Sequence, residues 1–210
     1  DLFNTTANFN VGEQVWVTVT NAQSTGGAWT RPFVMGVRTA AGAGSGTFYQ
    51  TSAPATAAQP YNLVTADFNG DNILDLAVAA RTANQVSILL GNGSGGFGSL
   101  ANYASGGTNP EGIASGDFDN DGDIDLALAN FNGAGAVGVL FNNGAGVFGA
   151  PTVYPMGGSG CTSIATGDVD GDGDIDMVNY NVSMSKLMYY ENQQVEKNIP
   201  CDSVYFEIAD

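Results

Sequence analysis

Three observations predict an all-β fold for this chain, arranged as a β-propeller-type array of four-stranded antiparallel blades. Glycine supplies 30 of 210 residues, about twice the usual share, while apolar residues still make up 43%, a balance that suits many tight turns around a packed core. An acidic segment recurs at 67, 117 and 168, a period of 50 and then 51 residues. Short alternating apolar runs flank every copy, giving four strands per repeat, the pattern of a propeller blade.

Within each repeat the elements follow one order. A short strand precedes the acidic segment at 63–66, 113–116 and 164–167. A second follows it, where Leu74, Leu76 and Val78 share one face, as do Ile124, Leu126 and Leu128, with Ala77 and Ala79 or Ala127 and Ala129 opposite. Small residues on that opposite face let neighbouring sheets approach closely. A third strand is read at 86–90 and 137–141, and at 187–190 in the last repeat. The fourth is assigned to the Gly-x-Gly-x-Phe tails ending at Phe97 and Phe148, a tail echoed at Gly44 to Phe48 and lost from the last repeat. Blades are therefore expected at 61–110, 111–160 and 161–210. Residues 1–60 form either a degenerate first blade or a separate strand unit, with alternation at Val15, Val17 and Val19, a second strand across 29–37 and a linker-like stretch at 51–59.

Oxygen-bearing side chains recur at positions 1, 3, 5 and 9 of each acidic loop: Asp67, Asn69, Asp71 and Asp75; Asp117, Asp119, Asp121 and Asp125; Asp168, Asp170, Asp172 and Asp176. Position 7, Ile73, Asp123 or Asp174, is expected to offer its backbone carbonyl. A curled loop turns every second residue inward and gathers the 6 to 8 oxygens that Ca²⁺ prefers, whereas Mg²⁺ keeps more of its water. Gly122 and Gly173 at position 6 permit a left-handed backbone, and Asn72 tolerates it. An EF-hand is excluded, because position 12 holds Val78, Leu128 or Asn179 instead of a bidentate glutamate. Five carboxylates within nine residues, as in the second and third loops, repel strongly without a counter-ion. Three calcium ions would bring the formal charge from −16 to −10.

Composition removes several function classes. Lys plus Arg number 5 against 21 acidic residues, and histidine is absent. Imidazole zinc sites, Ser/His/Asp triads and Cys/His dyads are thereby excluded. The negative field repels nucleic acids and anionic membranes, and Arg31, Arg38, Arg81, Lys186 and Lys197 are too dispersed for a basic patch. No run approaches the roughly 18 apolar residues of a membrane helix, so no membrane insertion is expected. The chain starts at Asp1 without a signal pattern, which suggests a processed, mature form. Cys161 and Cys201 are compatible with one disulfide in an oxidising compartment, worth roughly 4 kcal/mol, or with two free core thiols. Sequons at Asn4, Asn92 and Asn181 permit glycans.

The D-x-[DN]-[GN]-D-x-x-x-D loops, with their V-x-[IV]-L-[LF] strands and G-x-G-x-F tails, resemble the FG-GAP/VCBS repeat family, the calcium-binding blades of integrin α-chain-type β-propellers. The resemblance covers residues 61–210 well, 33–60 weakly and 1–32 not at all. It implies a propeller, calcium held in hairpin loops, and an extracellular or cell-surface setting. Such propellers usually have about seven blades; here a small four-bladed ring, an incomplete array, or one completed by another chain through the strand at 11–20 is expected.

The leading functional expectation is a non-enzymatic adhesion or structural module that binds a protein or glycan ligand or assembles with itself. The alternatives are a lectin-like propeller using aromatics such as Trp16, Trp29, Tyr49, Tyr103, Tyr154, Tyr189 and Tyr190, or a non-catalytic module of a larger secreted enzyme. Catalysis itself is disfavoured, since 13 of the 21 acidic residues lie in the loops and Glu13, Glu111, Glu191, Glu196 and Glu207 show no pairing.

Overall fold

The computed structural model describes residues 53–132, 136–155 and 158–194, together with the backbone of 14–19, 33–38 and 206–208. The chain divides into two compact units, Asp1–Gln50 and Thr51–Asp210. Within the first, β1 (Gln14–Val19) pairs antiparallel with β2 (Phe33–Arg38), setting Gln14 opposite Arg38 and Val19 opposite Phe33. The segment considered above as a strand donor is thus paired within its own chain.

Every described element of the second unit is a strand, and these form three four-stranded antiparallel sheets. The first contains β3 (Pro60–Ala66), β4 (Asp75–Ala80), β5 (Gln85–Gly91) and β6 (Phe97–Ala104). β7 (Thr108–Gly116), β8 (Asp125–Asn132), β9 (Ala136–Leu140) and β10 (Thr152–Pro155) make the second. β11 (Cys161–Gly167), β12 (Asp176–Asn181), β13 (Lys186–Asn192) and β14 (Phe206–Ile208) make the third. Strands follow one another across each sheet as an up-and-down meander, and the described sheets pack in sequence without closing a ring. The register repeats as well: Asp75, Asp125 and Asp176 each open the second strand opposite the last residue of the first, Ala66, Gly116 and Gly167.

Burial follows the alternation of small and large faces. Ala77, Ala79, Val86 and Ile88 of the first sheet pack against Ile113, Leu126, Leu128 and Leu140 of the second. The opposite face of the second sheet, with Ala127, Ala129, Val137 and Val139, receives Ile164, Met177 and Tyr190 of the third. Each fully buried leucine contributes about 1.5 to 3 kcal/mol of transfer free energy, so these two seams supply the main cohesion of the unit.

Two readings change on the structure. Leu74 does not share the face of Leu76 and Val78: it falls before β4, at the end of the acidic loop, and is 64% exposed. The second Gly-x-Gly-x-Phe tail is not a strand: Phe148 makes only one bridge, to Asn142, and β10 begins four residues later. Its ring is instead a plug, edge-on to both Phe68 and Tyr103 at 5.6 Å.

Tyr190 is likewise core, and Tyr154 packs against the same cluster, so these two aromatics join sheets, as Tyr103 does at the other seam. Trp16, Trp29 and Tyr49 lie outside the residues whose side chains are described.

Cys161 is a free, fully buried thiol, its Sγ accepting from Asn179 Nδ2 at 3.3 Å, and burial pushes its pKa up to about 12. The expected bridge is not seen; Cys201 lies outside the described residues. Asn181 is also buried, donating to Gly158 O and accepting from Met184 N, which withdraws that sequon from any glycosylating enzyme in the folded state. Glu111 is not an unpaired acid. Its carboxylate accepts from Arg81 Nε at 2.8 Å, joining first and second sheets, while the guanidinium also lies 5.7 Å from the Tyr61 ring centroid.

Candidate metal centre

Each acidic loop is a tight turn between the first two strands of its sheet, wound by its own side chains. Asp67 accepts from Asp71 N at 3.1 Å and Asn72 N at 2.7 Å; Asp117 accepts from Asp121 N at 3.1 Å and Gly122 N at 3.0 Å. Asp168 accepts from Gly171 N at 2.7 Å. Position 5 then accepts from position 7: Ile73 N to Asp71, Asp123 N to Asp121 and Asp174 N to Asp172, at 2.8, 2.8 and 2.9 Å. Such bonds curl the backbone so that alternate oxygens share one side.

Left-handed residues make the curl possible. Asn72, Gly122 and Gly173 have φ of 65°, 95° and 103°, as their position in the loop predicts. Position 4 is left-handed too, at Gly70, Asn120 and Gly171, a requirement the spacing of the acidic residues did not reveal.

The ninth residue has a second task. Asp125 is fully buried and accepts from Phe118 N at 3.0 Å and Asn142 N at 2.8 Å, tying the loop to the residue just beyond β9. Asp75 does the same with Phe68 N and Gly91 N, and Asp176 with Val169 N and Asn192 N. Asp176 additionally accepts from the Tyr189 hydroxyl at 3.0 Å.

Carboxylates converge in two of the loops. Oxygens of Asp117, Asp119 and Asp125 lie within 4.8 Å of one another, and so do those of Asp168, Asp170 and Asp176. Asp121, Asp123, Asp172 and Asp174 stand outside these triads. In the first loop the amide Asn69 takes the third position and donates to Asp71 at 3.0 Å, so Asp67, Asp71 and Asp75 do not form the same carboxylate group.

Electrostatics agree with an uncompensated charge. Burial first, then the charges of Asp119 and Asp121, push the Asp125 pKa up to about 7. Asp119 is raised to about 6 by burial and by Asp121 and Asp117. Asp170 is also raised, by desolvation ahead of its acidic neighbours. Hard oxygens in this number and curvature fit a divalent cation, whose charge would reverse these shifts. The second and third loops could each hold a metal ion.

Residues that bolt one sheet to the next were not legible as site residues. Asn142 Nδ2 donates to Phe68 O at 2.8 Å and Ile124 O at 3.1 Å, and Asn192 Nδ2 to Phe118 O at 2.9 Å and Ile175 O at 3.3 Å. Each therefore ties an acidic loop to the loop of the preceding repeat. Their shared place, at or just past the end of the third strand, was the available signal.

No curated protein matches the chain. Among solved structures, it is similar to part of the pore structure of a Photorhabdus luminescens Tc holotoxin, with 20% identity and a TM-score of 0.43 over 78% of this chain. The chain spans 7% of that protein's length. The family model for the FG-GAP-like repeat matches residues 67–128 and 117–178, two overlapping copies that centre on the acidic loops and together take in more than half of the sequence. The chain belongs to the FG-GAP-like repeat family.

Proposed function

We propose that this chain is an extracellular, non-enzymatic adhesion or structural module whose blades are stiffened by about three calcium ions. The observation that carries the reading is the pair of carboxylate triads, Asp117, Asp119 and Asp125 and Asp168, Asp170 and Asp176, gathered by loops that left-handed residues curl. Calcium is preferred because it accepts many oxygens in a flexible geometry. In the first loop the ligand set is Asp67, Asn69, Asp71 and Asp75, with the backbone of Ile73, and one charge fewer lowers its affinity. Asp121, Asp172 and the backbones of Asp123 and Asp174 complete the other two.

A role in association is supported by the outer sheet faces, where Leu63 and Leu187 are 57% and 72% exposed. Glu111, the one buried acid outside the loops among the described residues, is engaged with Arg81, which supports a non-catalytic reading.

The test is calorimetric titration with Ca²⁺, with Mg²⁺ as control, on the native chain and on Asp117→Ala and Asp168→Ala. Each substitution is expected to remove one bound ion. Uptake of no calcium at millimolar concentration, or unchanged stoichiometry in both variants, overturns the reading. Light scattering with calcium and then with chelator tests association; a monomer under all conditions removes self-assembly and leaves a foreign ligand.

A further inference from the structure

The junction between the second and third loops differs from the one before it. Asn120, at position 4 of the second loop, donates through Nδ2 to Asp174 Oδ1 of the third loop at 2.7 Å and to Gln194 Oε1 at 2.9 Å. Gln194 in turn donates through Nε2 to the backbone oxygen of Asp119 at 2.7 Å, and Asp119 belongs to the second triad. Asp174 is fully buried and Gln194 is 4% exposed, so these bonds are shielded from water. At the preceding junction the equivalent positions are Gly70 and Gly144, which have no side chains to make such bonds. An added Cβ at Gly144 would lie 2.5 Å from Asp123 Oδ2, so a side chain there would first displace that carboxylate.

We propose that the second and third loops bind calcium as a positively coupled pair, while the first loop, joined to the second through Asn142 alone among the described residues, is coupled only weakly. This rests on the calcium reading above. A cation that orders residues 168–176 fixes the carboxylate of Asp174, and with it Asn120, Gln194 and the backbone at Asp119. The second loop then has less conformational freedom to lose when its own cation arrives, which is cooperativity carried by ordering. Repulsion between the two ions opposes this, but it acts through loops that stay acidic after loading and is screened over about 8 Å at physiological salt.

The test is a calcium titration of the full chain in about 0.15 M salt, the screened regime, followed by the amide resonances of Asn72, Gly122 and Gly173, one in each loop. Asp168→Asn combined with Asp170→Asn disables the third loop. The second loop is then expected to bind calcium at least fivefold more weakly, the lower end of typical site coupling, with the first loop unchanged. Asn120→Gly with Gln194→Gly rebuilds the first junction in the second and should reduce that loss to less than about twofold, against the fivefold minimum. Asn120→Gly alone, at a φ of 57° that glycine adopts freely, should reduce it in part. A second loop whose affinity is unchanged by disabling the third overturns the coupling while leaving the calcium reading intact. Failure of all three amides to respond to calcium overturns both.

Discussion

The second and third acidic loops differ in sequence at only two of nine positions, Phe118 against Val169 and Asn120 against Gly171, yet they inhabit different environments. Phe118 is fully buried and Asp119 is 7% exposed, because the third sheet lies over the second loop. Val169 is 58% exposed and Asp168 and Asp170 face solvent, because no described sheet lies over the third. The lesson is that the neighbouring blade, more than the loop itself, decides how deeply a site is buried.

Breaking the shared tether should give the largest effect. Asp125→Ala strands the buried N–H groups of Phe118 and Asn142, at about 1 to 3 kcal/mol each, so urea unfolding in chelator should show a loss of about 2 to 5 kcal/mol. Asp121→Ala, at an exposed position of the same loop, should cost far less in the same assay.

Proton linkage should separate the loops next. Asp125 is raised in the folded state to about 7, from a reference value of 3.8, so the fold binds its proton more tightly than the unfolded chain does. That contribution is complete below about pH 4 and is lost as pH rises through 7; Asp119 acts in the same sense up to about 6. In chelator, stability should therefore fall between about pH 4 and 7 by on the order of a few kcal/mol, and calcium should restore it. Asp119→Asn should flatten the profile. Absence of any decline would show that the enclosure of the second loop has no electrostatic consequence.

Removing one inter-sheet bond should come third. Asn192→Ala frees the carbonyls of Phe118 and Ile175 and should cost about 1 to 3 kcal/mol by thermal unfolding. Arg81→Ala, at the other junction, leaves Glu111 buried and unpaired and should cost a similar amount, reduced by the partial exposure of the arginine.

The smallest change is Tyr189→Phe, which removes the hydroxyl bonded to Asp176. A loss of about 1 kcal/mol is expected in chelator, with a gain in calcium affinity largest in the third loop. An equal change in the second loop would argue against the distinction between them.

Much of this architecture is legible in the residues. Period-two alternation in segments such as Leu126 to Leu128 specifies a strand and its two faces, and aspartates spaced by two specify a curled oxygen-rich loop, because both depend on neighbours within a few positions. Asn142, Asn192 and Gln194 were not legible as clasps. An asparagine after a strand reads as a turn residue, and its carbonyl partner lies 74 residues away. Leu74 was misplaced because alternation does not mark where a strand begins: the residue falls just before β4, in the acidic loop.

Local chemistry in the sequence therefore determined the repeat, the strands, the left-handed positions and the candidate ligands. Tertiary structure decided which loop is enclosed, which aspartates resist ionisation, which acid is paired with Arg81, and which sites are bonded to each other. Those properties depend on desolvation and on hydrogen bonds between segments 30 to 75 residues apart, and packing alone brings such segments together.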